Sequence, residues 1–391
     1  MTGKSTLMRS LMAQDILAGH GCALIDPHGD LALEVMEAVP SNHIRDVIVL
    51  DPSDLKYPVG FNPLYRVPKD ERDAVAENLT ATFAHLWRDS WGPRLEYILL
   101  NTISALLDAP DNLRPTMVSI PLMLVNEEYR ERVLRHVQNP QVREYFYTEF
   151  SRWKGRHLDD RLGPIQNKIC KFLTNTAVRN IFGQWKPSID LDEIVARKQI
   201  LIVRLSKGLV GELTANMVGS FVATGFQHAA MRQAKLPEGE RPDFDLHIDE
   251  FHNFTTDAFA DILSEARKYG LTLTIGHQYI DQMAEEVADA VFGNVGSIVS
   301  FRVSARDAER LAKEVGTYHP RIFGDLGVGE VVAKLLKQNN TSYSMRGRTE
   351  PDAVKIYGRS DSIRRLSRDR YGRKRSVVKK NISRWIGRQK M

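Results

Sequence analysis

The sequence predicts an α/β fold, a parallel sheet flanked by helices, with an all-helical insertion and a basic C-terminal tail. Three observations predict it. A helical stretch is followed at once by short, wholly apolar runs. Such runs vanish between residues 69 and 195 and then return. Positive charge gathers at the C-terminal end. Helices alternating with strands that are apolar throughout are the pattern of a parallel sheet covered on both faces.

Ser5 to Gly19 reads as the first helix, with Leu7, Leu11 and the pair Met8/Met12 on helical spacing and Gly19 and Gly21 as its stop. Cys22-Ala-Leu-Ile25 and Val47-Ile-Val-Leu50 read as buried strands. In the stretch Lys69 to Ile194, Ala74–Trp87, Arg94–Leu107 and Glu127–Val137 carry helical periodicity, broken by Pro93, Pro110, Pro121 and Pro140. Strand runs return at Gln199–Leu205, followed by helix Leu213–Gln233 and strand Phe244–Ile248. Helix Asp257–Lys268, strands Leu271–Ile275 and Ser297–Phe301, and helix Ala305–Val315 complete the pattern, which weakens beyond Gly329. The expected segments are 1–68, the first part of the core; 69–195, the insertion; 196–330, the second part of the core; and 331–391, a basic extension.

At 391 residues, 42% hydrophobic and 26% charged, the chain has the composition of a globular protein of two or three units. Cys22 and Cys170, its two cysteines, provide neither a disulfide framework nor a cysteine-based zinc set, and fit a reducing compartment. No apolar run reaches the roughly 18 residues that read as a membrane span. Thr341 to Met391 holds 16 Lys and Arg against 4 Asp and Glu, a net of +12, which leaves a body of net −7. A mildly acidic body with a strongly basic tail points to an acidic partner, nucleic acid first.

Gly3-Lys4-Ser5-Thr6 stands directly before the first helix. It matches the second half of a G-x-x-x-x-G-K-[ST] phosphate loop, whose first glycine and preceding strand are expected upstream of Met1. In such a loop glycine lets backbone N–H groups approach phosphate, and the helix N-terminus favours negative charge. Lys4 would reach the β- and γ-phosphates of ATP and Ser5 would ligate Mg2+. Asp243-Phe-Asp-Leu-His-Ile-Asp-Glu250 delivers Asp249 and Glu250 at the end of an apolar strand, the edge where parallel sheets bind ligands. Asp249 would hold magnesium, and Glu250 would orient and deprotonate water. His247 reads as a packing residue. The neighbouring strand ends in Gln278, suited to sensing the γ-phosphate or positioning water, or to capping a turn. Arg267 and Arg302 are two candidates for an arginine supplied to a neighbouring subunit's site. Asp26-Pro-His-Gly-Asp30 follows the first strand and faces the same edge.

These motifs, in this order, resemble the HerA–FtsK superfamily, and within it the conjugative coupling ATPases of type IV secretion. The resemblance runs over nearly the whole chain. It is carried by Gly3-Lys4-Ser5-Thr6, Ile25-Asp-Pro-His-Gly-Asp30, Ser90-Trp-Gly-Pro-Arg94, Leu205-Ser-Lys-Gly208, Ile248-Asp-Glu-Phe251, Ser264-Glu-Ala-Arg-Lys-Tyr-Gly270, Gly276-His-Gln278 and Phe301-Arg302 with Asp307-Ala308. It implies a P-loop NTPase, RecA-like fold with a helical insertion, ATP and Mg2+ as cofactors, a homo-hexameric ring, DNA as substrate, and relaxosome or secretion-channel partners. It implies Lys4 and Ser5 as nucleotide and magnesium ligands, Asp249 and Glu250 as the Walker B pair, Gln278 as sensor, and favours Arg267 over Arg302 as the finger. The chain as it stands is expected in the cytoplasm, and an upstream segment of the parent protein would carry any membrane anchor. In the tail, Arg370, Tyr371, Arg373, Lys374 and Arg375 mix charge with an aromatic ring, suited to phosphate attraction and base stacking. Two other readings stay open, a HerA-type helicase of DNA end processing and an inactive nucleic-acid-binding fragment.

Overall fold

The computed structural model describes the chain apart from residues 1, 2, 255–262, 264, 265, 317, 338, 339, 351–353, 390 and 391, and apart from the side chains of 267, 337 and 340–342. The chain divides into two compact units, the first made of residues 1–49, 192–204 and 229–364, the second of 50–191, 205–228 and 365–391.

The first unit is built on a parallel sheet of five strands: β1 (Gly21–Asp26), β2 (Val47–Leu50), β3 (Ile200–Arg204), β4 (Phe244–Ile248) and β5 (Leu271–Ile275), in the order β2-β3-β1-β4-β5. Every residue of β1 and β2 is buried, which is why both read as uninterrupted apolar runs. The strand before the insertion pairs with strands after it: β1 runs parallel to β3 and β4, and β4 to β5. Ile25, Ile248 and Ile275 lie in register, so β1, β4 and β5 end side by side.

Helix α1 (Lys4–Ala18) and helix α2 (Asp30–Glu37) cover this sheet. Met8, Met12 and Ile16 of α1 meet Leu31, Val35 and Met36 of α2 and the strand residues Cys22, Leu24, Val49 and Ile202. Full burial of one such aliphatic side chain stabilises the fold by about 1.5–3 kcal/mol. Gly19 ends α1 in the left-handed region, at φ 76°, and the His20 N–H reaches back to the Asp15 carbonyl at 2.9 Å. Only glycine enters that conformation without penalty, so the turn is fixed by sequence.

A second sheet in this unit departs from expectation. Residues Ser297–Phe301 were expected to join the parallel core; their strand β6 (Ile298–Ser300) pairs instead with β7 (Glu330–Lys337), which pairs with β8 (Asn340–Arg348), all antiparallel. The region beyond Gly329 is therefore ordered into a hairpin. Consecutive burial of Val331, Val332 and Ala333 erases the alternation that marks a half-exposed strand, and β8 is polar along most of its length. Helix α3 (Ala305–Val315) forms where expected, with Ser304 capping its N-terminus and Gly316 ending it at φ 78°. Most of the expected helix Asp257–Lys268 lies outside the described residues; its end, Ala266–Tyr269, forms a 3-10 turn.

The second unit is helical. Helices Arg72–Leu86, Pro93–Leu107 and Glu127–Leu134 stand close to their expected positions. Phe83 and Phe182 both meet Phe221 edge-on, at 5.4 and 5.3 Å between ring centres. The basic tail is ordered too, into α4 (Ser360–Tyr371) and α5 (Arg375–Arg388). Arg368 bonds Asp54 at 2.7 Å, Gly372 bridges to Val59, and the Trp385 indole N–H bonds the Leu113 carbonyl at 2.9 Å. Among the described residues, no helix is long and apolar enough to cross a membrane.

Candidate active site

The described residues of the site belong to the first unit. Gly3 stands just before α1 at φ 118°, a conformation closed to ordinary side chains, and its carbonyl starts the helix by accepting the Leu7 N–H at 3.0 Å. No side chain caps this helix end, which leaves its N–H groups to solvent or to an anion. Lys4 Nζ reaches from the first helical turn to Asp249 Oδ1 at 2.9 Å and Glu250 Oε1 at 2.5 Å. Both carboxylate residues are only 4% exposed. Ser5 is exposed beside Lys4 on the same turn, and Thr6 is half-buried.

The acidic pair Asp249 and Glu250 is placed by the backbone. Asp249 N–H bonds the Ile25 carbonyl of β1, and Phe251 N–H bonds the Gly276 carbonyl at the end of β5. Between them Glu250 turns at φ 48°, left-handed, which for a residue with a Cβ costs of order 1 kcal/mol and aims its carboxylate at Lys4. Gly276 leaves room for the cluster: a Cβ there would lie 3.0 Å from Met8 Sδ and 3.2 Å from Asp249 Oδ1, so those side chains would have to give by a few tenths of an ångström. Gln278, two residues on, donates to Glu250 Oε1 at 2.9 Å. The residues read from the sequence as lysine, acid pair and sensor therefore meet in one cluster.

Electrostatics organise this cluster. Burial alone would raise the Glu250 carboxyl; the hydrogen bond and charge of Lys4, with Gln278, outweigh burial and hold it below its ordinary value. Asp26, fully buried at the end of β1, is raised chiefly by burial, with the Asp249 charge adding, while N–H groups of the next turn oppose it. Its two oxygens accept from His28 and Ala32 N–H, at 2.9 and 2.8 Å, and so cap α2. The motif Asp26–Asp30 is thus a strand-to-helix cap beside the site.

Two histidines escaped the sequence reading of roles. His252 Nδ1 lies 3.7 Å from Glu250 Oε2. His277, between Gly276 and Gln278, is lowered to about 4 by burial, with the charges of Lys4 and His252 adding. A histidine depressed in the fold contributes stability that is present above its unfolded value near 6.5 and is lost as pH falls toward 4. The expected consequence is a stability loss of up to about 3 kcal/mol across that window. His277→Gln should flatten this loss in thermal melts recorded from pH 7 to pH 4; an unchanged pH profile would reject the assignment.

The remaining sequence candidates fall as follows. The Arg267 backbone lies in the turn Ala266–Tyr269, and its side chain is outside the described residues. Arg302 is exposed and follows β6 of the antiparallel sheet, which corrects its expected place at the end of a core strand. Its neighbour Phe301 sits against the phosphate loop: a Cβ added to Gly3 would lie 2.8 Å from that ring. Asp307, buried on α3, accepts the Ile280 N–H at 3.3 Å and holds the loop after Gln278. His247 is buried as expected, yet its Nε2 meets Asp15 Oδ2 at 2.8 Å. In the tail Arg370 and Lys374 are exposed, while Tyr371, Arg373 and Arg375 are half-buried. The Tyr371 ring already carries the Arg370 guanidinium at 5.3 Å, and burial lowers the Arg373 pKa.

Comparison with known proteins bears on this fold and site. Residues 243–323 match a family described as the TraM recognition site of TraD and TraG. The bacterial conjugative coupling protein TrwBdeltaN70, in an unbound form, is similar in fold: TM-score 0.62 at 13% identity, over 92% of this chain and 84% of that one. The plasmid coupling protein TrwB in complex with a non-hydrolysable ATP analogue gives TM-score 0.62 at 14% identity, over 92% and 84%. VirB4 of Thermoanaerobacter pseudethanolicus gives 0.56 at 14%, over 91% and 86%. No curated protein sequence matches the chain.

Sheet, phosphate loop and acid pair define the fold of a P-loop NTPase. Within that class the fold is similar to that of the coupling protein TrwB over nearly the whole chain. The matched family segment runs from β4 past Arg302.

Proposed function

We propose that this chain is the motor of an ATP-hydrolysing DNA translocase, a coupling ATPase of a conjugative or type IV secretion system. The observation that carries the reading is the convergence of Lys4, Asp249, Glu250 and Gln278 at one edge of the parallel sheet.

The donor set fits Mg-ATP. An uncapped helix N-terminus and a lysine suit phosphate, and a hydroxyl beside a buried aspartate suits magnesium. Ser5 and Asp249 would hold Mg2+, which when bound neutralises charge on the phosphates. Lys4 now neutralises Asp249 and Glu250; arriving phosphates compete for it, and Glu250 loses its counterion as substrate binds. Freed from Lys4, Glu250 becomes the stronger base and takes a proton from the attacking water. Gln278, already on Glu250 Oε1, ties that carboxylate to the end of β5 and is placed to report the γ-phosphate. TrwB has been solved with an ATP analogue and with ADP and Mg2+, which supports the same ligands here.

DNA is the proposed cargo, a homo-hexamer the working form, and the cytoplasm the site of action. On the tail, Lys379, Lys380 and Arg384 are exposed along α5, beyond the stretch the sequence singled out, and would meet phosphates with Arg370 and Lys374. The matched description supports a relaxosome component as partner. Turnover of ATP by the protein is expected to rise when DNA is added at low salt, and the gain to shrink as salt increases. Turnover indifferent to DNA at every salt concentration would reject translocation.

A further inference from the structure

At the opposite end of α1 and β4 from the phosphate loop, a second group of titratable side chains converges. Asp15, His20 and Asp245 each offer one ligand atom, and these atoms all lie within 4.8 Å of one another. Local structure builds the group. The glycine turn after α1 folds His20 back over Asp15, and its Nδ1 stands 3.6 Å from Asp245 Oδ2.

Two buried side chains support it. His247, 2% exposed, directs Nε2 onto Asp15 at 2.8 Å, while its Nδ1 is buried without a hydrogen-bond partner. Cys22, 0% exposed, is the register partner of Asp245 on the neighbouring strand. Its thiol is raised by burial first and then by Asp15 and Asp245, so the sulfur lies close enough to feel both carboxylates. Asp245 is raised by burial and by Asp15, with the two histidines and Thr272 opposing.

We propose that Asp15, His20 and Asp245 form a binding site for a divalent transition metal of the zinc class, tying the C-terminal end of α1 to the start of β4. An imidazole nitrogen with two carboxylates suits zinc, whereas magnesium and calcium take oxygen alone. His247 donates to the ligating Asp15 and orients it, as outer hydrogen bonds do at metal centres. The site is structural: α1 is 15 residues long, about 22 Å, so the metal lies far from the phosphates. Its effect is to pin together the two elements that carry Lys4 and Asp249.

The test uses the full chain stripped of metal with a chelator and titrated with zinc chloride by calorimetry. One equivalent is expected to bind, and the thermal midpoint to rise with it. His20 is half exposed, so His20→Ala should fold normally; its zinc affinity should fall by at least about tenfold and its midpoint should ignore zinc. Asp245→Asn should behave alike. Zinc bound as tightly by His20→Ala as by the unaltered chain, or no zinc bound by the unaltered chain, overturns the proposal. ATP affinity provides the readout that separates this site from the nucleotide site: it should persist in His20→Ala.

Discussion

Glu250→Gln is expected to abolish ATP hydrolysis, by about 10²–10⁴-fold, while nucleotide binding survives. The amide keeps the size and most of the hydrogen bonding of the acid but cannot accept a proton from water. Lys4 would still reach Asp249 at 2.9 Å, so the phosphate loop keeps a buried anchor. The left-handed turn at residue 250 depends on backbone contacts through Asp249 and Phe251, which the substitution leaves alone. Steady-state turnover and equilibrium binding of an ATP analogue separate the two effects. Hydrolysis at the unaltered rate would remove Glu250 from the mechanism, and loss of binding would make it structural.

The second large effect is expected at Arg267. An arginine reaching a neighbour's γ-phosphate accounts for about 10³–10⁵-fold in turnover where it has been removed from related sites. Arg267→Ala should lower turnover by that order, and Arg302→Ala by less than about tenfold. If the finger acts across a subunit boundary, the loss can be rescued. Mixing Arg267→Ala chains with Glu250→Gln chains creates some interfaces with an intact glutamate on one side and an intact arginine on the other. About a quarter of the interfaces in a random mixture meet this condition, and activity should return in proportion. Two dead variants that stay dead when mixed would reject a finger in trans. The reverse ranking of the two arginines would move the role to Arg302.

Much of the core was legible because parallel strands are buried on both faces. Val47–Leu50, buried throughout, stands out for that reason, while Phe244–Ile248 and Leu271–Ile275 alternate apolar with polar residues and were legible as strands by that alternation. The site was legible for a related reason. Lys4, Asp249, Glu250 and Gln278 stand at the ends of such elements, where the fold must bring them to one edge. Sheet membership was not legible for β6, because three residues carry no information about which neighbours they will pair with. Nor was the β7–β8 hairpin, whose buried residues come consecutively. His252 and His277 could have been noticed as neighbours of Glu250 and Gln278, but only three dimensions place both around one carboxylate. The tail was read as basic groups mixed with an aromatic ring; Arg368 on Asp54 and Trp385 on Leu113 pair with residues more than 250 positions away, which no local pattern reveals.

The ring of Phe301 occupies the space that any side chain at residue 3 would need, so a Gly3→Ala change has to displace that ring. Phe301 directly follows β6, and β6 is hydrogen-bonded to β7 and through it to β8. The side chain packed against the phosphate loop at Gly3 thus follows a strand of the small antiparallel sheet and not one of the parallel core.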